Sequence, residues 1–439
     1  MSLRAASVCL ALSVVGDAVA LGQSADCEPQ RFFPDFQARD LEFGMGVAIS
    51  DEHLLVADRF GGAKIYCYSK DGQGHWALRQ TVPGGGVGAS LDLSGDRFVT
   101  GSFDVPFFGG ALVYDFDGQH WTETGRMGSP DIAFLSPWGN ETAIHGRLAA
   151  LANWGSAVLT FYESDSGWQF TADLDPTPVR PDRTDFGNAL MVDDRFLIVG
   201  APGEPVTGIQ NGAVYVYAWD ADGLPVPTQK LLPEPAPLGP RLGTSIDLDG
   251  DTMVVGAREY RIGDEFGLGA AYVYTLRDGL WELDQMLFAP TLVRGSQFGW
   301  DVAIDGDTIA VGAITEGRGA VYLYRRGDDG LWRHAERVTL DIPGLEYGEA
   351  VDLSATQLVV GGSDVFSMGF DQGVADVYDL DCLLCTPDLD ADGALTIFDF
   401  LLFFNLFQDG DPLADFDGDG ELTLFDFLAF QTAFDAGCQ

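Results

Sequence analysis

Between residues 40 and 380 the apolar positions come in short runs, alternating with polar residues or rich in β-branched ones. Each run is bounded by Gly, Asp or Asn. Such patterning predicts strands and no long amphipathic helix. The runs recur in a fixed order. The clearest copy reads Phe298-Gly299, Val302-Ala303-Ile304, Asp305-Gly306-Asp307, Ile309-Ala310-Val311-Gly312-Ala313, Gly319-Ala320-Val321-Tyr322-Leu323-Tyr324, then Gly330-Leu331-Trp332. Seven copies open at Gly44, Gly88, Gly139, Gly187, Gly243, Gly299 and Gly348, at spacings of 44, 51, 48, 56, 56 and 49 residues, with copies three and seven degraded. Each copy supplies about four strands, an Asp-Gly turn joining the first two and a Gly-x-Trp turn the last two. A four-strand unit of this length repeated seven times predicts a mainly β protein, a seven-bladed β-propeller.

A ring has to close. Residues 30–44 (QRFFPDFQARDLEFG) match 285–299 (QMLFAPTLVRGSQFG), a last strand plus the link to the next blade, and copy seven lacks a strand after Tyr378. The N-terminal strand is therefore expected to complete the seventh blade.

The pattern changes after residue 385. Asp388, Asp390, Asp392, Gly393, Thr396 and Asp399 occupy positions 1, 3, 5, 6, 9 and 12 of an EF-hand-type loop, and Asp415, Asp417, Asp419, Gly420, Thr423 and Asp426 repeat them 27 residues later. Alternate oxygens at this spacing converge on a hard cation, glycine makes the sharp turn, and position 7 gives a backbone carbonyl, here Ala394 and Glu421. Two Ca2+ ions are expected. Leu395 and Leu422 stand at the apolar position 8, and one helix is predicted after each loop, over 398–407 and 425–434. With carboxylates crowded this closely, calcium is expected to be a folding requirement of the module.

The first residues read Met1-Ser2-Leu3-Arg4, an apolar run from Ala5 to Val15, then Ala18-Val19-Ala20. That order predicts a secretory signal peptide within 1–25, cleaved near Ala20 or Ala25, and no later segment is long and apolar enough to span a bilayer. The expected organisation is a leader at 1–25, a propeller at 26–384 with repeats starting near 43, 87, 138, 186, 242, 298 and 347, and a calcium module at 385–439. Export makes disulfides reasonable. Cys27–Cys382 closing the propeller and Cys385–Cys438 bracketing the module are the expected pairs, with Cys67 a buried thiol. A net charge of −43, with only three lysines, disfavours nucleic acid and anionic membranes as partners.

Phe186-Gly187 with Val199-Gly200-Ala201-Pro202, and Phe298-Gly299 with Val311-Gly312-Ala313, give residues 30–380 a resemblance to the FG-GAP family, the propeller repeat of integrin α subunits and many secreted bacterial proteins. Integrin-type repeats carry a calcium loop between their first two strands. Here that space holds only short turns such as Asp249-Gly250-Asp251, which read as turn formers. The loop-helix duplication at 386–439 resembles a type I dockerin, a non-catalytic module that docks onto cohesin domains. It departs from that pattern at Phe404-Asn405 and Gln431-Thr432, where dockerins usually carry a basic pair.

The resemblances imply a secreted, calcium-binding, non-catalytic interaction, adhesion or scaffold protein. Its propeller would bind a protein or glycan, and its C-terminal module would dock onto a cohesin-like or cell-surface partner. The alternative is a carbohydrate-active enzyme of polysaccharide breakdown, with catalytic residues in propeller loops. Five scattered histidines, no HExxH and no GxSxG nominate no catalytic residue. A cluster of Asp, Glu, Arg and Tyr at the channel mouth would favour the enzyme, and an apolar or small-residue mouth the scaffold.

Overall fold

The computed structural model describes residues 29–33, 42–58, 64–83, 90–102, 109–128, 138–153, 157–175, 184–206, 209–234, 239–262, 266–327, 329–340, 342, 345–364, 373–384, 387, 389, 395–409, 414, 416 and 422–436. Among these, seven four-stranded antiparallel sheets follow one another along the chain, so the seven-bladed ring expected from the repeat is present. Blade 6 is typical: Val302–Asp305, Thr308–Ala313, Ala320–Arg326 and Trp332–Thr339, hydrogen-bonded in that order. Its first turn is Asp305-Gly306-Asp307, as the sequence predicts. The first strands of successive blades touch one another around the whole ring, placing them at its centre. Blade 7 takes its outermost strand from Gln30–Phe32, which pairs with Val374–Asp379 (Gln30 opposite Val377), and this is the expected closure.

The core is divided among the seams. Seven apolar clusters lie one at each blade–blade contact, for example Val254, Val273, Phe298, Val311 and Tyr322 between blades 5 and 6. Two glycines of the repeat are explained at that seam. Gly299 has φ +85°, open to glycine at little cost, and a methyl on it would meet the carbonyl of Ala270. A methyl on Gly256 would overlap the Gly299 carbonyl oxygen itself. The same approach joins Gly361 of blade 7 to Gly44 of blade 1, so these glycines let neighbouring blades touch backbone to backbone.

Outer strands are tied by a second device. Gln285 Nε2 donates to the Trp332 carbonyl (2.7 Å) while Trp332 N donates to Gln285 Oε1 (2.8 Å). Gln30 with Trp76, Gln80 with Trp121 and Gln229 with Trp281 repeat the pair. The turn tryptophans Trp76, Trp121, Trp281 and Trp332 are buried in the seams between blades.

Cys67 is a buried free thiol whose burial pushes its pKa up to about 12. Cys27, Cys385 and Cys438 lie outside the described residues. A short helix, Leu380–Leu383, follows the last strand and packs Leu380 and Leu383 into the seam of blades 6 and 7. The two helices of the C-terminal module span Ile397–Asp409 (α2, counting Leu380–Leu383 as α1) and Leu424–Ala436 (α3), each starting earlier and ending later than the sequence pattern gave. No described helix is long and apolar enough to cross a membrane.

Candidate functional site

The axis of the ring is one candidate. The first strand of each blade has a neighbour on one edge only, so its other edge presents unpaired backbone N–H groups to the channel, and buried N–H groups need acceptors. Carboxylates supply them. Asp92 Oδ2 accepts from Ile144 N (2.6 Å), Asp247 Oδ2 from Ile304 N (2.7 Å), Asp301 Oδ2 from Val351 N (2.9 Å) and Asp352 Oδ2 from Ile49 N (2.7 Å). Each aspartate thus caps the next blade in the ring.

These four line a central cavity of about 320 Å³ together with Glu141 and Glu349, and with Ser90, Thr142, Asn188, Thr244 and Trp300. No Arg, Lys, His or Tyr is among the described residues that line it. Six carboxyls without a counter-cation hold their protons tightly. Desolvation, opposed by the backbone donors, raises Asp92 to about 6 and Asp247 and Asp301 to about 7. Asp352 is raised well above the carboxylate range by burial and then by Asp247, and Glu141 by burial and then by Asp301 and Asp92. Among the described residues the mouth therefore matches neither sequence alternative: it is acidic, and no Arg or Tyr lines it. What the arrangement does chemically is hold protons and cap strands. The sequence carried a signal for this set, because Glu141 and Asp301 stand two residues, and Asp92, Asp247 and Asp352 four residues, after the opening glycine of their copies.

The C-terminal module is the other candidate. Of the proposed calcium ligands, Asp388, Asp390, Asp392, Ala394, Asp415, Asp417, Asp419 and Glu421 lie outside the described residues, and Thr396, Asp399, Thr423 and Asp426 lie within them. Asp399 and Asp426, at loop position 12, are completely buried. Asp399 Oδ1 accepts from Leu389 N (2.9 Å) and Oδ2 from Thr396 N (2.8 Å), while Thr396 Oγ1 accepts from Phe398 N (3.1 Å). Thr423 and Asp426 repeat the motif: Asp426 Oδ2 accepts from Thr423 N (2.6 Å) and Thr423 Oγ1 from Phe425 N (3.1 Å). Each Thr-x-x-Asp is a capping box that starts its helix and folds the loop's end over a carboxylate. Two buried carboxylates in a segment (386–439) holding 11 Asp, one Glu and no Lys or Arg are donors suited to a hard divalent cation.

The helices pack on each other through Phe403 and Phe430, whose rings stack at 4.4 Å, with Phe400, Phe416 and Phe434 around them. Their first turns are left bare: Phe398 is 64% and Phe425 67% exposed, and Ile397, Leu401, Phe404, Leu424 and Leu428 are exposed as well. Except for Phe404, whose counterpart is Gln431, these positions correspond between the two copies, so the module presents two related apolar faces.

Fold and seams together define a seven-bladed β-propeller. The FG-GAP repeat matches residues 226–274 and 281–324, each match running from the outer strand of one blade through the third strand of the next, and the chain carries FG-GAP repeats there. Such a propeller is a fold of the protein-interaction or adhesion type. No curated protein sequence matches the chain. Among solved structures it is similar to a protein assigned as a 6-phosphogluconolactonase from Bacteroides uniformis, at 12% identity and TM-score 0.50 over 75% of this chain and 95% of that one. It is also similar to Sqt1 of Saccharomyces cerevisiae, at 11% identity and TM-score 0.47 over 78% of this chain and 97% of that one. At such identities the likeness concerns the fold alone.

Proposed function

We propose that this chain is an exported, non-catalytic interaction protein whose C-terminal module binds two calcium ions and docks onto a partner. The observation that carries the reading is the pair of exposed apolar faces at the first turns of α2 and α3. Exposed apolar patches of this kind mark interfaces. The module's charge adds chemistry: with no Lys or Arg between 386 and 439 it suits a surface whose apolar centre is bordered by basic residues, as in a cohesin-like or cell-surface protein. Calcium links to docking through the capping boxes, since the carboxylates that start both helices are also position 12 of both loops.

Placement supports the cysteine pairing too. In the antiparallel register Gln30 stands opposite Val377, so the N-terminal strand runs beside the strand that leads to Cys382. Cys385–Cys438 would then clamp the calcium module. The enzymatic alternative has the channel carboxyls in its favour, but four of the six are engaged in capping neighbouring blades.

The test is capture of partners from culture supernatant by the full chain, with calcium and with chelator, beside the double variant F398D/F425D. Both side chains are exposed, so the variant is expected to fold and take up calcium as the wild type does. Its calcium-dependent capture should fall at least tenfold. Equal capture by both proteins would remove the docking face, and calorimetry showing no calcium uptake would remove the metal.

A further inference from the structure

At two seams the residues that precede the second strands of adjacent blades come together, with opposite charges at one and like charges at the other. The second strands of blades 1, 2, 4 and 5 are His53–Ala57, Arg97–Ser102, Phe196–Ala201 and Thr252–Gly256. The residue just before each is Glu52, Asp96, Arg195 and Asp251. Between blades 4 and 5 this gives an attractive pair, Arg195 Nη1 donating to Asp251 Oδ1 at 2.7 Å, with the Gly250 carbonyl also accepting from Arg195. Between blades 1 and 2 the same position brings together Glu52 and Asp96, two carboxylates to which no guanidinium is bonded among the described residues.

A third side chain completes the group. His53 Nε2 lies 3.0 Å from Asp96 Oδ1, and one ligand atom each from Glu52, His53 and Asp96 fall within 4.8 Å of one another. The imidazole is held in place. Its side chain is only 5% exposed, its ring meets Phe116 and Trp121 edge-on at centroid distances of 4.8 and 4.9 Å, and its backbone is fixed by bonds from Ser50 N to His53 O and from His53 N to Ser50 Oγ. Asp96, at 70% exposed, and Glu52 leave the outer side open to an arriving ion.

We propose that Glu52, His53 and Asp96 bind a divalent transition-metal ion of the zinc class, which takes the place at this seam that the Arg195 guanidinium has at the seam of blades 4 and 5. One rigid imidazole with two carboxylates is a nitrogen-and-oxygen donor set suited to such an ion, with water completing the coordination. Binding needs Nε2 without its proton, so the single ring proton sits on Nδ1 and any second proton leaves to solvent. The ion neutralises the like-charged pair and joins two blades. This site is separate from the all-oxygen loops of the C-terminal module.

The test is titration of the calcium-saturated full chain with Zn2+, for the wild type and the variants H53N, E52Q and D96N. The expected result is a zinc equivalent in the wild type that H53N lacks. Affinity should be at least tenfold weaker in E52Q and D96N, and zinc should raise the unfolding midpoint more in the wild type than in any of the variants. E52Q changes a surface carboxyl and keeps the proposal testable should H53N fold poorly. Co2+ offers a separate readout, since nitrogen ligation at His53 gives a visible spectrum distinct from that of all-oxygen loops. Equal zinc uptake by wild type, H53N and E52Q would overturn the proposal and leave His53–Asp96 as a hydrogen-bonded link between blades.

Discussion

Single carboxyl groups at the channel govern how this propeller responds to pH. Asp247, raised to about 7 by burial, keeps its proton in the folded chain at pH values where the unfolded chain, with a carboxyl near ~4, has already released it. The folded state then binds more protons than the unfolded one, so this contribution to stability is complete below about pH 4 and is lost as pH rises towards about 7. Asn at 247 keeps an oxygen for the Ile304 N–H and cannot ionise. Urea titrations of D247N and wild type should therefore coincide near pH 4 and separate as pH rises, with D247N more stable by about 2 kcal/mol or more at pH 8. Identical pH profiles would mean that the carboxyl is not held in its neutral form. The acids at this site come from copies two, three, five, six and seven, and their meeting could not be read from any one copy.

Between elements, the Gln–Trp exchange is the repeated joint. Gln229 gives and receives one hydrogen bond with the backbone of Trp281, at 2.9 Å each, across the seam of blades 4 and 5. Gln229→Ala leaves the Trp281 N–H and carbonyl without these partners and is expected to cost about 2 kcal/mol, measured as a lower urea midpoint. At the seam of blades 2 and 3 the joint takes another form: Trp168 lies over Gly125, where a Cβ would crowd its indole ring. Sequence repetition made the joint legible, since Gln30 and Gln285 occupy equal places in the two matching stretches 30–44 and 285–299. The pairing itself was not legible, because nothing along the chain says which backbone a glutamine reaches.

For the whole molecule the decisive contact is the ring closure. Arg31 on the N-terminal strand makes a bidentate pair with Asp376, Nε to Oδ1 at 2.8 Å and Nη2 to Oδ2 at 2.9 Å, and Asp376 is completely buried. Tyr347 Oη also donates to that carboxylate at 3.1 Å. Arg31→Met strands a buried charge and should cost about 3 kcal/mol in thermal or urea unfolding. Replacing Asp376 by Asn in the same chain should recover part of the loss. A change below about 0.5 kcal/mol for R31M would show that closure rests on the strand's backbone pairing alone.

The sequence by itself determined the number of blades, the four strands of each, the turns that join them and the borrowed strand of blade 7. These follow from short-range apolar alternation repeated at a nearly constant interval, which a linear reading can count. It also marked Thr396, Asp399, Thr423 and Asp426 by their spacing, and the structure adds that the two carboxylates are buried as helix caps. Only the tertiary structure decided that the centre is acidic, that Gly256 lies against Gly299, and that Glu52 faces Asp96 where Arg195 faces Asp251. These are contacts between copies, and a repeat fixes its internal contacts in sequence while leaving to the closed ring which side chains from different copies share a seam.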